Sequence, residues 1–271
     1  ASAQVKSCLL LAGLFAPGGV RVVEPAPSRD HTEILLAAMG VQLTRVGLAV
    51  SIAPPAAPLR PIRLEVPGDP SSAGFLLVAA AIVAGSEVRL ERVGTNPTRT
   101  GLADALRAMG ADLRTSSPVD LSGESAADLV LRQAPLHGIR LAGAEIVRAI
   151  DELPVLALAA TQALGETVIA DAGELRVKET DRIATTVREL RKLGAEIEER
   201  PDGMVIHGPT VLRGCEVESH GDHRLALALA VAGLVAEGET VIRGAEVTRD
   251  SFPGFVETLA SLGGEIIEES P

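Results

Sequence analysis

Two kinds of polar cluster carry the residues whose types and spacing could do chemistry. Clusters of the first kind stand just before apolar runs: Ser2-Ala3-Gln4-Val5-Lys6, Gly68-Asp69-Pro70-Ser71-Ser72, Asp151-Glu152-Leu153-Pro154 and Ser219-His220-Gly221-Asp222-His223-Arg224. Ser and Asp in such places serve as helix N-caps, and Pro near a helix start fits the same role; this accounts for Asp69, Ser71 and Ser72. His223 and Arg224 differ, because positive side chains oppose the dipole at a helix N-terminus unless an anion is held there. The second kind sits before or within more polar helical stretches. One is Ser28-Arg29-Asp30-His31-Thr32-Glu33; the other runs from Glu174 through Arg176, Lys178, Glu179 and Asp181 to Arg182. If both are helical, Lys178 and Arg182 share a face with Glu179 beside them. A solvated ion-pair network would use the same residues. In a chain of net charge -11, however, concentrated Arg and Lys read as a local anion pocket, and the guanidinium fork suits carboxylate or phosphate.

Other chemistries fit less well. The histidines are 31, 137, 207, 220 and 223; His220-Gly221-Asp222-His223 could seed a metal site, but no HExxH or paired ligand cluster supports it. No GxSxG elbow points to a Ser hydrolase, and neither a GxGxxG after a strand nor a GxxxxGK[ST] points to an ordinary nucleotide fold. The residues describe an enzyme acting on small polyanions, with Arg and Lys as binding groups and carboxylates for proton traffic. Asp151, just before a buried helix, is a candidate base. Glu179, next to two cations, is a second acid or base.

Composition narrows the surroundings of such a site. The 271 residues include no Trp, no Tyr and four Phe, while apolar residues make up 46%. The core must therefore be Ala, Leu, Val and Ile, suited to close-packed helices and buried parallel strands. Aromatic cages, base-stacking platforms and antibody-like sandwiches are disfavoured, and the acidic field repels nucleic acid. Cys8 and Cys215 lie far apart without CxxC spacing, which suits a reducing cytoplasm. The apolar runs Gly74–Gly85 and Ala226–Ala236 are too short to span a bilayer, so no membrane role is expected.

One unit recurs four times. Each copy opens with an apolar helix and a glycine (Cys8–Gly18, Phe75–Gly85, Val155–Gly165, Leu225–Gly238). A short β-rich run, a polar loop and a second helix follow, such as Thr32–Met39 or Arg182–Leu193. The second helices close on Gly40, Gly110, Gly194 and Gly263, spaced by 70, 84 and 69 residues, and a short strand begins at once. The first helices are apolar nearly all round and should be central. The expected fold class is an α/β (α+β) repeat fold. The best boundary is the Pro-rich stretch 53–61, followed by Pro67-Gly68-Asp69-Pro70. One unit precedes it and three follow, and Ala1 is not preceded by Met. Met removal would explain that, but the asymmetry of the repeats favours a missing N-terminal portion.

The motifs Ser2-Ala3-Gln4, PSRDHTE (27–33), PGDPSSAGF (67–75), NPTRTG (96–101), IDELPVLALAA (150–160), LRVKETDRI (175–183), SHGDHR (219–224) and SFPGF (251–255) together resemble the 5-enolpyruvylshikimate-3-phosphate synthase family over essentially the whole chain. The resemblance implies βαβαββ units packed around buried helices in a two-domain enolpyruvyl-transferase architecture, here incomplete. Residues 1–62 would be the last repeat of an otherwise missing N-terminal-side domain. Residues 68–271 would be a second domain of three units, about 68–135, 136–210 and 211–271. The implied activity is transfer of the enolpyruvyl group of phosphoenolpyruvate to the 5-hydroxyl of shikimate 3-phosphate by addition and elimination, with release of phosphate. Those two small anions are the implied partners. The resemblance implies no metal, no organic cofactor and a monomeric full-length form.

Carried over residue by residue, the resemblance places Ser2, Ala3, Gln4 and Arg29 on shikimate 3-phosphate, together with Asp151 and Lys178. Arg182 and Arg224 would clamp the phosphoenolpyruvate carboxylate, with His223 as a nearby polar support. Asp151, Lys178 and Glu179 would be catalytic: Asp151 as base for the 5-hydroxyl, Lys178 on the developing intermediate, Glu179 moving the proton at the methylene carbon. Glu174 stands where many members carry Asn, and Asp250 where many carry a Lys for phosphoenolpyruvate, so neither is assigned. As a C-terminal portion, the chain alone would be inactive or would need the missing N-terminal segment. Competing readings are the sister enolpyruvyl transferase acting on UDP-N-acetylglucosamine, a non-catalytic ligand-binding fragment, and a cyclase related to RNA 3′-phosphate processing.

Overall fold

The computed structural model describes residues 2–269. The first unit holds α1 (Ala3–Gly13), β1 (Val20–Val23), α2 (His31–Ala38), β2 (Leu43–Val46) and β3 (Ala49–Ile52). The second holds α3 (Pro70–Ile82), β4 (Glu87–Gly94), α4 (Gly101–Ala108), β5 (Asp112–Leu121) and β6 (Glu124–Arg132). The third runs β7 (Arg140–Leu141), α5 (Ala144–Ala149), α6 (Leu153–Thr161), β8 (Gly165–Ile169), α7 (Arg182–Lys192), β9 (Glu196–Arg200) and β10 (Gly203–Gly208). The fourth has β11 (Glu216–Glu218), α8 (His223–Gly233), β12 (Val241–Arg243) and α9 (Phe255–Ser261). Turns of 3-10 helix occupy Ile150–Glu152, Gly173–Val177 and Ala245–Asp250.

The repeat is literal in the sheets. Strand orders β1-β3-β2, β4-β6-β5 and β8-β10-β9 are the same, each antiparallel, with the second hairpin strand in the middle. Parallel pairing is confined to β7–β8 and β11–β12 among the named strands. The expected buried parallel strands are thus mostly antiparallel, because each hairpin pairs locally rather than through a crossover. The closing glycines have φ of +92°, +97°, +95° and +96° at 40, 110, 194 and 263, a left-handed region that a Cβ disfavours.

Helices α3, α6 and α8 pack on one another at the centre of the main apolar cluster, which runs from Ala73 to Leu259. All nine residues of α6 are buried. Phe255 of α9 meets Phe75 of α3 and Phe252 edge-on, at ring-centroid distances of 6.3 and 5.2 Å, so three of the four Phe close one end of this core. Helix α1 is less covered than α3, α6 and α8. Leu10 and Gly13 face inward, but Val5, Leu9 and Leu11 are exposed, so its apolar face is only part-covered. These helices also begin earlier than their apolar runs, because the polar clusters supply the first turn. Asp69, for example, caps α3 by accepting from Ser71 N and Ser72 N at 3.2 and 3.1 Å.

A further expectation is corrected. The strand expected after Gly263 does not form; its counterparts β2, β5 and β9 each pair with a returning hairpin strand, and 264–266 has none among the described residues. The first unit carries its own three-stranded sheet and its own apolar cluster of Leu10, Leu36, Val41, Val50 and Ile52. It folds as an α/β body of its own. No helix among the described residues is long and apolar enough to cross a membrane.

Candidate active site

Asp151 is the point on which the clusters converge. Pro154, within the first turn of α6, lacks an N–H to extend the preceding helix. The chain passes from α5 to α6 through the 3-10 turn Ile150–Glu152, which carries Asp151. Arg29 Nη2 donates to Asp151 Oδ2. Arg182 Nη1 lies 3.5 Å from Oδ1, Lys178 Nζ 3.8 Å from Oδ1 and Arg224 Nη2 3.8 Å from Oδ2. Burial alone would raise the carboxyl, but the charges of Arg224 and Arg29, the Arg29 hydrogen bond and Lys178 bring its pKa down to about 2.

Each cation reaches Asp151 by a different route. Arg182 opens α7, whose N-cap Asp181 accepts from Ala184 N at 3.0 Å. Its side chain is 1% exposed and is anchored by Asp222: Nε donates to Oδ2 at 2.7 Å and Nη2 to Oδ1 at 3.3 Å. Asp222 is the N-cap of α8, accepting from Arg224 N at 2.9 Å. One buried carboxylate thus sets the positions of both arginines. Burial would raise Asp222, yet the bonds from Arg182 and the α8 backbone hold it below the usual range. Lys178 is not helical; it lies in the link between the 3-10 turn Gly173–Val177 and α7, so the shared-face argument does not apply. Glu179 Oε2 forms an ion pair with Arg182 Nη2 at 2.6 Å, and its side chain is half exposed. Arg176 belongs instead to a surface network with Asp181 and Glu199.

The first unit supplies the other wall. Ser2, Ala3, Gln4 and Arg29 line a cleft of about 190 Å³ against Ile150, Asp151, Glu174 and Lys178. Ser2 Oγ caps α1 and donates to Gln4 Oε1 at 3.3 Å. Lys6, 1% exposed, lies behind this wall and pairs with Glu24 at 3.0 Å and Glu33 at 2.8 Å. Glu24 also accepts from Ser28 Oγ, which ties the segment carrying Arg29 to α1. Between the first and second units, Asn96 donates to Asp30 at 2.9 Å and to Glu124 at 3.2 Å, and His31 Nδ1 meets Glu124 at 2.6 Å. A separate depression of about 120 Å³ beside Arg99 and Arg107 contains none of the cations around Asp151.

Of the residues expected from sequence, Ser2, Ala3, Gln4, Arg29, Asp151 and Lys178 line this cleft, Arg182 and Arg224 reach it through Asp151, and Glu179 pairs with Arg182. His223 stands beside Arg224, and burial together with that neighbouring charge lowers its pKa. Glu174, left unassigned, lines the cleft, whereas Asp250 is exposed at the end of a 3-10 turn. His220 and Asp222 do not share a ligand site: His220 Nε2 pairs with buried Glu189 at 2.9 Å and Asp222 serves Arg182. Among the described residues, no group of three or more His, Cys, Asp or Glu side chains could hold a metal. Sequence reasoning missed Asp222 as an anchor, the burial of Lys6, and a cluster of Ser71, Arg99 and Glu152. All lay inside motifs already singled out, but only tertiary packing pairs them.

The sequence profile of EPSP synthase (3-phosphoshikimate 1-carboxyvinyltransferase) matches residues 1–259. The chain belongs to the EPSP synthase family. It is 54% identical over 97% of its length to the 3-phosphoshikimate 1-carboxyvinyltransferase of Desulforudis audaxviator, and 55% identical over 96% to that of Gloeobacter violaceus. EPSP synthase of Acinetobacter baumannii superposes over 97% of the chain with a TM-score of 0.91 at 42% identity. The enolpyruvyl transferase NikO of Streptomyces tendae shares the fold, with a TM-score of 0.73 at 22% identity. The chain spans about 61% of the length of its EPSP synthase relatives. The family match over residues 1–259 and the relatives aligned over 97% of the chain support neither of two expectations. One made the chain a C-terminal portion, defined by what it lacks; the other made it inactive by itself.

Proposed function

We propose that the cleft around Asp151 is an enolpyruvyl-transfer site. In this reading Ser2, Ala3, Gln4 and Arg29 hold shikimate 3-phosphate, Arg182 and Arg224 hold the carboxylate of phosphoenolpyruvate, and the enolpyruvyl group passes to the 5-hydroxyl with release of phosphate. Residues 1–62 and 68–271 are its two walls, and the free cysteines suit the cytoplasm. The observation that carries the reading is the gathering of Arg29, Lys178, Arg182 and Arg224 on the single carboxylate of Asp151. So much fixed positive charge around one small cleft suits two polyanions bound side by side.

The proton chemistry follows from the same contacts. Addition joins the 5-oxygen to the central carbon of phosphoenolpyruvate, removes the hydroxyl proton and places a proton on the methylene carbon. Elimination then breaks the bond to phosphate and takes a methyl proton back. A carboxylate with a pKa of about 2 is a weak base. A substrate phosphate would draw Arg29 away and withdraw one of the charges that depress Asp151, so substrate binding itself would make the base stronger. A carboxylate entering the Arg182 fork competes with Glu179, now 2.6 Å away, and frees that side chain for the methylene carbon. Lys178, 3.8 Å from Asp151, faces the charge that develops between them.

Calorimetric titration of the chain with shikimate 3-phosphate, and then with phosphoenolpyruvate in its presence, tests the reading. Saturable binding of both is expected. Absence of shikimate 3-phosphate binding, or preference for UDP-N-acetylglucosamine, would overturn it.

A further inference from the structure

Asp151 has a neighbour that the proposed chemistry leaves unused. Glu152 completes the same 3-10 turn but points the other way, toward the start of α3, and is 3% exposed. Its Oε1 accepts a hydrogen bond from Ser71 Oγ and lies 3.8 Å from Arg99 Nη2. Arg99 Nη2 in turn donates to Ser71 Oγ at 2.6 Å and to Asp69 Oδ1 at 3.2 Å. On the cleft side, the same Oε1 lies 4.0 Å from Arg224 Nη1, while Nη2 of that guanidinium lies 3.8 Å from Asp151 Oδ2. The two terminal nitrogens of Arg224 are therefore shared between two consecutive carboxylates.

Burying a carboxylate is costly unless it is paired, and an N-cap for α3 is already present in Asp69. Burial pushes the Glu152 carboxyl up, and Arg99, the Ser71 hydrogen bond and Arg224 pull it part-way back. Holding α3 against the 3-10 turn needs only the hydrogen bond to Ser71. The acid itself has a second consequence: it gives Arg224 a fixed partner on the side away from the cleft opening.

We propose that Glu152 is a positioning residue, which sets the aim of the Arg224 guanidinium while Ser71 and Arg99 fix Glu152 itself. Resting on the functional reading above, this makes Glu152 a determinant of phosphoenolpyruvate affinity although it lies behind Arg224. Glu152 and Arg224 act as a pair: the arginine meets the ligand, and the acid decides where the arginine stands.

Glu152→Gln keeps the shape and can still accept from Ser71, but removes the charge opposite Arg224. Two measurements on the whole chain decide the matter. In a crystal structure of E152Q, Arg224 is expected to leave the Glu152 side of its fork. By calorimetry, phosphoenolpyruvate should bind about tenfold more weakly, with shikimate 3-phosphate affinity kept within about twofold. A merely structural role would lower the melting temperature and move neither ligand selectively. Arg224 unmoved, or both ligands affected alike, would overturn the proposal. If the parent chain binds neither ligand, the functional reading fails, and the position of Arg224 in E152Q still decides this one. Should E152Q not fold, Ser71→Ala removes the hydrogen bond that fixes Glu152 and bridges it to Arg99 and should weaken phosphoenolpyruvate about threefold; unchanged affinity there would equally sink the idea.

Discussion

Arg182 Nε and Asp222 Oδ2 stand 2.7 Å apart, with both side chains closed to solvent. A buried pair of this kind is not itself a large source of stability, but removing one partner leaves the other charged and unmatched. Asp222→Ala also removes the N-cap of α8. Its unfolding free energy in urea is expected to fall by about 3–5 kcal/mol. A loss below about 1 kcal/mol would mean that Arg182 finds solvent or another acid.

Acid should act through depressed carboxylates. Asp151 sits at about 2 and Asp222 below its ordinary 3.8, so as pH falls below about 4 the unfolded chain takes up protons that the folded one refuses. The stability these groups provide is present above the unfolded value and is lost as pH falls through the folded one. Glu152 runs the opposite way: its raised pKa makes the folded chain hold a proton in a window above 4.5, so its contribution declines as pH rises through that window. Urea unfolding between about pH 6 and pH 3 should show the acid loss, and Asp151→Asn should remove about 1 kcal/mol of it. An unchanged slope in that variant would rule out Asp151 as its source.

Charge without geometry should not suffice at Arg224. Arg224→Lys keeps the cation but loses the fork that spans Asp151 and Glu152. Phosphoenolpyruvate affinity is expected to fall about tenfold or more, with shikimate 3-phosphate little changed. Equal affinity for phosphoenolpyruvate in the lysine variant would remove Arg224 from the carboxylate clamp.

Gly101 offers a test of how the scaffold sets Asp151. A Cβ there would meet Arg148 C at 2.5 Å, Arg148 O at 2.6 Å and Ala149 N at 2.7 Å, all backbone just ahead of the Asp151 turn. Gly101→Ala should therefore push α5 outward, at a cost of about 1–3 kcal/mol, and weaken shikimate 3-phosphate binding measurably by calorimetry. Normal affinity with reduced stability would show that the turn tolerates displacement of α5.

The repeat, the buried runs inside α3, α6 and α8 and the four closing glycines were legible because each is a local pattern with a local cause. The clusters before the helices were legible too, as concentrations of charge in an acidic chain. What sequence could not show is which charge meets which. Lys178 reaches Asp151 from an irregular link and not from a helix face. Asp222, quoted only within a motif that could seed a metal site without support, holds Arg182. Arg99 and Glu152 lie 53 positions apart and were both quoted without a role. An all-apolar helix says that it can be covered, not that it is, and α1 shows the difference.

The three matching sheets have one more consequence. Every ladder in β1-β3-β2, β4-β6-β5 and β8-β10-β9 closes within a single unit. Pairing therefore costs little loop entropy, and each sheet can zip up early and independently. Joining the later units is left to α3, α6 and α8, whose mutual packing brings Asp151 near Arg224, while the first unit meets them through Arg29 on Asp151. Assembly of the charged cleft is then among the last events of folding, and the cleft exists only once the units have docked.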